Sequence, residues 1–372
     1  MCISRIKTAL SYIALGLLEK EALILTFPNK YPYSEKLQTG INMFLAIAFN
    51  YGEIGMEVFT YANEASFLNK YIELPIREWF SNWDQEVREK IMNESFSNYD
   101  SFGKIIKKNM IIPTDECREF TEAYSINSNQ ELSEELDLYE YIIQFSQEDY
   151  VSIREFIIRH PIVNVEQRRK FLIKHLGNPK MKEAFQLAYE LYDKPYIQCP
   201  KCGWTLTKNI YGYTCMNESC TSHLPLFSDD KIVDASIKPI YRLKKGVMRY
   251  FCIPGKLELE LADYCADLEL KYQLYPQKDK YDIEIHFNND DVWEIDAKAY
   301  KNPVTLCEKL YKEKFPAGNY SRGFIVIPKK YANKQYLNIV NKALKNQERV
   351  ECIDSETLKR MLKKKVGEKN EK

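Results

Sequence analysis

The sequence has no excess of charge of either sign: Lys and Arg together number 53, and so do Asp and Glu, in 372 residues. No field spread over the whole molecule draws it to nucleic acid, so any such attraction has to be local. Long apolar runs are missing as well. The longest uncharged stretch, Leu37 to Gly52, is shorter than the about 20 apolar residues that cross a bilayer, and it carries polar side chains. No membrane span is expected. Arg5 and Lys7 ahead of Ala9 to Leu18 imitate a signal peptide, but no small-residue cleavage site follows, and Glu19, Lys20 and Glu21 continue a helical pattern. An amphipathic helix and a cytoplasmic protein are the expectation. No internal repeat of roughly 20 to 50 residues is present. From Ile3 to Tyr192 there is no nucleophile paired with a base and no glycine-rich phosphate loop, which leaves that segment without the marks of a covalent hydrolase or a nucleotide-binding site.

What is present divides the chain into parts. Its length exceeds the about 250 to 300 residues that one core organises, and 45% hydrophobic with 28% charged residues fits a globular protein. Apolar residues up to about Tyr192 recur at helical spacing, as in Leu132, Leu136, Tyr139, Ile142 and Ile143. Thr114 before Glu116 to Tyr124, and Asn164 before Val165 to Leu176, look like capped helices. The expectation is an all-helical domain over residues 1–193, with His160 and His175 as structural residues. The acidic stretch Glu131 to Tyr150 reads as a solvated helix face. Residues 329–372 hold 13 Lys and Arg against 6 Asp and Glu, a local basic surplus that either adds salt-sensitive phosphate affinity or is a frayed terminus.

Residues 194–237 change character. Cys199-Pro-Lys-Cys202 is followed by Cys215 and then Cys220. Two short cysteine knuckles facing across a hairpin supply the soft tetrahedral set that Zn²⁺ prefers, and Gly203 and Gly212 allow the tight turns. A structural zinc ribbon is expected, closed by Cys220, with His223 the alternative fourth ligand. Four thiolates leave no open position, so this zinc is not catalytic.

Residues 238–372 read as mixed α/β: strands at Ile240 to Leu243 and Val247 to Ile253 around a Lys244-Lys245-Gly246 turn, a helix from Lys256 to Leu270, two alternating strands, a helix from Thr305 to Lys314, the apolar strand Gly323 to Ile327, and further helix. The alternating strands are Tyr281 to Phe287 and Trp293 to Lys298. A loop of Asn289 to Asp291 between them sets Asp282 opposite Lys298, Glu284 opposite Asp296 and His286 opposite Glu294. Asp282 and Asp296 are then diagonal neighbours on one face, with Lys298 beside them. Two carboxylates for a hard cation and a fixed positive charge are what phosphodiester hydrolysis needs. Glu258, on the preceding helix at the margin of its packed face, offers a further group. The bland alternative is the solvated face of an ordinary hairpin. The order of helix, hairpin, helix and buried strand is that of restriction-endonuclease-like cores of the PD-(D/E)xK class.

A narrower likeness joins this order. Tyr31-Pro32 with Leu37-Gln38-Thr39-Gly40, Arg159-His160-Pro161, Cys199 to Trp204, Gly246 to Tyr250 leading to Pro254-Gly255 and Glu258, and Trp293 to Lys298 with Asn302-Pro303 together resemble the restriction-endonuclease-related companion proteins encoded beside prokaryotic PIWI-related (PIWI-RE) proteins. The resemblance implies a nuclease in an anti-plasmid or antiviral system, acting on nucleic acid, with DNA the expected substrate, beside a PIWI-like protein and a DinG-type helicase. It implies Mg²⁺, or Mn²⁺ in its place, held by Asp282 and Asp296, transition-state contact by Lys298, and Glu258 rather than Glu260 as the helix acid. Glu294 on the same face competes with Asp296 for the ligand role. The competing reading is a subunit that grips nucleic acid or a partner without cutting. The expected architecture is multidomain α plus α/β: helical domain, four-cysteine zinc ribbon, and restriction-endonuclease-like core.

Overall fold

The computed structural model describes residues 2–26, 32–51, 60–106, 110–124, 130–209, 212–217, 220, 232–235, 238–288 and 290–370. Two compact units emerge, Met1–Asn127 with Thr207–Phe227, and Ser128–Leu206 with Ser228–Lys372. No described helix is long and apolar enough to cross a membrane.

In the first unit α1 (Cys2–Thr26) packs on α2 (Glu35–Tyr51). Ile6, Leu10, Ile13 and Leu17 of α1 are buried at helical spacing, so the amphipathic helix expected at the N-terminus is present. Glycine sets the closeness of the pair: a Cβ on Gly16 would lie 2.3 Å from the backbone nitrogen of Leu37, and one on Gly40 2.6 Å from that of Ile13. The rings of Phe44, Phe67, Tyr71, Trp79, Phe80 and Trp83 extend the core, around α3 (Glu64–Tyr71) and α4 (Gln85–Met92). Thr114 caps α5 (Asp115–Tyr124) by accepting from Cys117 N at 3.1 Å. The all-helical expectation needs correction here. Gly103–Ile106 (β1) and Met110–Pro113 (β2) pair antiparallel, because isoleucine-rich runs of four residues favour extended chain and are too short to bury a helix face.

The second unit begins with α6 (Gln130–Ile142) and α7 (Gln147–Arg159). Asp137, Glu140 and Glu148 face solvent, as the acidic stretch suggested, whereas the Glu134 carboxylate turns inward and accepts from Gly246 N at 2.8 Å. His160 caps the end of α7. Asn164 and Gln167 form a reciprocal capping box on α8 (Val165–Lys174), and α9 (Lys180–Ala188) follows. Strands intrude here too: β3 (Ile162–Asn164) and β4 (Tyr189–Tyr192) flank β8 (Ile240–Leu243) in a three-stranded sheet. Between β4 and β8 runs a short antiparallel group, β5 (Ile197–Gln198), β6 (Thr205–Asn209) and β7 (Gly212–Thr214).

Val247 to Ile253 is not a strand. Val247–Cys252 form a π-helical turn that runs into α10 (Ile253–Asp267). Pro254 has no N–H for a carbonyl one turn back, and the turn ahead of it widens. Val247, Met248, Phe251 and Cys252 are buried on one side of that turn, a helical spacing that the β-rich composition disguised. Beyond α10 lies a five-stranded sheet in the order β13-β12-β11-β10-β9. Its strands are β9 (Lys271–Leu274), β10 (Ile283–His286), β11 (Val292–Ala297), β12 (Arg322–Ile327) and β13 (Val350–Asp354). The first three are antiparallel and the last two join in parallel. On one face Ile283, Ile285, Trp293, Ile295, Phe324 and Val326 pack with α10 and with α13 (Ser355–Asn370). On the other, Ile325 and Ile327 pack with α11 (Pro303–Lys312) and α12 (Lys334–Ala343). The basic C-terminal segment is therefore anchored, with Leu358 and Leu362 fully buried, and is not a frayed end.

Candidate active site

The hairpin of β10 and β11 places the carboxylates. Glu284 stands opposite Glu294 and His286 opposite Val292, two residues from the expected register. Phe287 N donates to Asp291 O at 3.0 Å, so the loop closes one residue earlier on each strand than the Asn289 to Asp291 loop assumed; Asn289 itself lies outside the described residues. A shift of two preserves which face each side chain occupies. Glu284 and Glu294 consequently still share a face with Asp296; the ladder ends with Ile283 opposite Ile295, and Asp282 lies just beyond it, its N–H donating to Ile295 O at 3.0 Å rather than pairing with Lys298.

Asp282 is 6% exposed, and its Oδ2 accepts from Ala297 N at 2.6 Å. Burial pushes its pKa well above the usual carboxylate range, and the negative charges of Glu258 and Asp296 push it further, while Lys298 offsets only part. Lys298 Nζ lies 2.7 Å from Asp296 Oδ1. Burial disfavours its charge, yet the fields of Asp296 and Asp282 prevail and hold it above the usual lysine value. Glu258, on α10, Asp296 and Lys298 thus all act electrostatically on Asp282. Glu258 is not at the margin of its helix: it is 5% exposed, and Arg154 Nη2 spans its Oε1 and Oε2 at 3.2 and 3.0 Å. Glu260, one residue pair further on, is exposed and paired with Lys359.

The rival ligand Glu294 looks elsewhere. Burial first, then its hydrogen bond to Glu284 and the Glu284 charge, raise it to about 9, and its buried Oε2 has no hydrogen-bond partner. Glu284 in turn contacts His286 Nε2 at 2.6 Å. Of the two acids on β11, Asp296 joins the Asp282 and Lys298 group, and Glu294 joins Glu284.

Sequence reasoning missed Arg154. It sits 104 residues before Glu258, on a helix whose pattern suggested only packing, and no local spacing relates the two. It missed the loop before Asp282 as well. Tyr275, Gln277, Lys278 and Asp279 all have positive φ, 49°, 54°, 57° and 80°, a region that costs an L residue about 1 to 2 kcal/mol. Arg154 Nη1 donates to Asp279 Oδ2 at 2.9 Å, and the Gln147 side chain donates to Tyr275 O at 2.7 Å and accepts from Lys278 N at 2.9 Å.

The four cysteines converge as expected. Cys199, Cys202, Cys215 and Cys220 are buried, with ligand atoms all within 4.8 Å of one another. Thiolates around one zinc ion stand about 3.8 Å apart, from a Zn–S distance near 2.3 Å, so the set fits such an ion. Gly203 takes φ +81°, the left-handed turn its position demands, and Asn217 N points to Cys215 Sγ at 3.5 Å. His223 lies outside the described residues. Among the described residues no three carboxylate or imidazole ligands are drawn together to the same degree. Asp282, Asp296 and Glu258 do offer the hard oxygens that Mg²⁺ takes, and the raised pKa of Asp282 marks an excess of negative potential that a cation would relieve.

The five-stranded mixed sheet between helices, with Asp282 and then Asp296-Ala297-Lys298 at its β10–β11 pair, has the order expected of a restriction-endonuclease-like core. Residues 255–370 match the family described as "REase associating with pPIWI_RE", so the resemblance read from the sequence holds over this segment. No curated protein and no solved structure matches the chain.

Proposed function

We propose that the chain is a divalent-metal-dependent nuclease that hydrolyses phosphodiester bonds, with DNA as substrate, in a prokaryotic defence system alongside a PIWI-related protein and a DinG-type helicase. Its parts are an N-terminal part of helices and short strands, a zinc ribbon (194–237) and the nuclease domain (238–372). The observation that carries the reading is Asp282, buried and pushed toward its neutral form by Glu258 and Asp296 with Lys298 beside them. An acid so placed loses stability unless a positive ligand arrives, and ordinary hairpin faces have no use for that arrangement. Asp282 and Asp296 are the residues to hold Mg²⁺ or Mn²⁺. A bound divalent ion supplies positive charge to the scissile phosphate and acidifies water. Lys298, kept protonated by its two carboxylate neighbours, offers charge to the phosphate oxygens as they become more negative. The four-cysteine group holds structural Zn²⁺ and takes no part in the chemistry.

A second reading is favoured by one observation: Glu258 and Asp296 each already pair with a protein cation, Arg154 and Lys298. A subunit that binds nucleic acid without cutting needs no more than that. Incubating supercoiled plasmid with the purified chain in Mg²⁺, Mn²⁺ and neither separates the two. Nicking that needs the ion supports the nuclease; retention of DNA without nicking, also in the presence of the partner proteins, supports the binding subunit.

A further inference from the structure

The matched family segment starts at residue 255, yet the groups that hold its candidate site lie a hundred residues earlier. The guanidinium of Arg154, on α7, is enclosed: it stacks on the rings of Tyr275 and Phe251 at 4.3 and 4.9 Å, and the residue is 8% exposed. It has no path to a substrate. It ties together three things: Glu258 through Nη2, and Asp279 and the Tyr150 hydroxyl through Nη1, at 2.9 and 3.0 Å. About two turns earlier on the same helix, Gln147 bonds the backbone of the loop at Tyr275 and Lys278. That loop carries four L residues in the left-handed region, a conformation that persists only where the surroundings hold it. Tyr275 N donates to Asp282 O at 2.8 Å, so the shape of the loop is passed directly to Asp282.

We infer that α7 is part of the nuclease unit: Arg154 and Gln147 are positioning residues that fix Glu258 and the strained loop leading into Asp282, so the 255–370 segment does not assemble its site alone. This rests on the assignment of Asp282 as a metal-holding residue. Arg154 suits the task because a planar cation with several donors reaches three partners at once. Its charge, lowered by burial but raised more strongly by Glu258 and Asp279, is secure. A merely structural role predicts lower stability and nothing more. A positioning role predicts weaker metal binding in protein that is still folded, because groups that orient metal ligands are commonly worth about 10- to 100-fold in affinity.

The test uses the full, zinc-loaded chain. Gln147→Ala, Arg154→Lys and the charge-neutral double variant Arg154→Met/Glu258→Gln are compared with wild type by Mn²⁺ titration, by hydrogen exchange over residues 275–282 and by cleavage kinetics. The double variant avoids leaving Glu258 buried and unpaired, the change most apt to prevent folding. The expected result is exchange over 275–282 faster by about tenfold, Mn²⁺ affinity lower by about tenfold, and reduced kcat with KM for DNA unchanged, while Arg154→Lys recovers little because one ammonium cannot span the three partners. Unchanged exchange in Gln147→Ala and in the double variant, with unchanged Mn²⁺ affinity in Gln147→Ala, overturns the inference; Mn²⁺ affinity of the double variant is not read, because Glu258 itself offers oxygens to the ion. Should wild-type protein neither take up Mn²⁺ through Asp282 nor cleave, the nuclease reading fails, and exchange over 275–282 still decides whether α7 holds the loop.

Discussion

Glu284 and Glu294 face each other across the β10–β11 ladder, two acids directly opposed on one face of the sheet. Opposed like charges destabilise a strand pair, and the protein resolves this by keeping Glu294 protonated to about pH 9, through burial and then through Glu284. The sign follows. A carboxyl whose folded pKa lies above its unfolded value of about 4.3 contributes stability that is fully present below the unfolded pKa and is lost as pH rises through about 9. Glu294→Gln keeps the neutral shape and removes the titration. In thermal melts without added divalent ion, the variant should be more stable than wild type at pH 8 to 9 by about 1 kcal/mol or more, with the difference vanishing near pH 4. Equal slopes of Tm against pH for the two proteins would remove Glu294 as the group that titrates.

The four-cysteine group predicts one zinc per chain by elemental analysis of undenatured protein. Cys199→Ser or Cys220→Ser should lose it and destabilise the ribbon, since binding free energy at such sites is folding free energy. His223→Ala should retain it. A metal-free wild type, or zinc retained in Cys220→Ser and lost in His223→Ala, would reassign the site.

Gly16 offers a test of the first unit. Its missing Cβ would meet backbone of Leu37 at 2.3 Å, which no rotamer change relieves. Gly16→Ala should cost about 1 to 3 kcal/mol, the usual penalty for overpacking, despite the higher helix propensity of alanine, whereas Gly177→Ala, with nothing within 4 Å of the added methyl, should be close to neutral. Urea melts of both variants check the contrast.

How far the sequence could be read depended on distance along the chain. The cysteine knuckles, the capped helix after Asn164, the β10–β11 hairpin and the strand read at Gly323 to Ile327 are each encoded within about twenty residues, and the structure bears them out. The hairpin register was off by two because face periodicity fixes parity and leaves the loop closure open; the bond from Phe287 N to Asp291 O decided it. Val247–Cys252 misled because Val, Tyr and Phe favour strands, while Glu134, more than a hundred residues away, binds Gly246 N at the head of the helical turn. Arg154 was illegible for the same reason. A buried ion pair between two helices is a tertiary fact, and neither helix shows it alone.

The basic surplus of the C-terminus now has a geometry. Lys359 and Lys365 are spent on Glu260, Glu356 and Asp291, whereas Lys363 is exposed on a helix fixed by Leu358 and Leu362. Leu362→Ala should destabilise the domain by about 2 to 5 kcal/mol. Lys363→Ala should leave stability unchanged and reduce the salt dependence of DNA binding by roughly one phosphate's worth of counterion release. A slope of log Kd against log salt that does not change in Lys363→Ala would show that this face does not meet the phosphate backbone.

Asp282, Asp296 and Lys298 should act as one unit, with Glu258 assisting. Lys298 contributes most where charge grows on the phosphate, so Lys298→Ala should lower kcat far more than DNA affinity. Asp282→Ala should abolish metal-dependent cleavage and also stabilise the fold, because it removes a buried acid whose charge is opposed by burial, by Glu258 and by Asp296. Asp296→Ala should abolish cleavage without that gain, since Asp296 already has Lys298 at 2.7 Å and its loss leaves the lysine facing Asp282 alone. Members of a unit are not additive, and Asp282→Ala/Lys298→Ala should be scarcely worse than the worse single variant. Glu284→Ala is the control that separates this assignment from its rival: the Glu284–Glu294 pair lies on the same face but outside the lysine's reach in charge, and its loss should leave most of the rate. Cleavage and melting of each variant in Mg²⁺, Mn²⁺ and chelator give the answer. Activity that survives chelation would remove the metal from the reaction, and activity that falls in Glu284→Ala while Asp296→Ala cuts normally would move the metal to Glu294 and its neighbour.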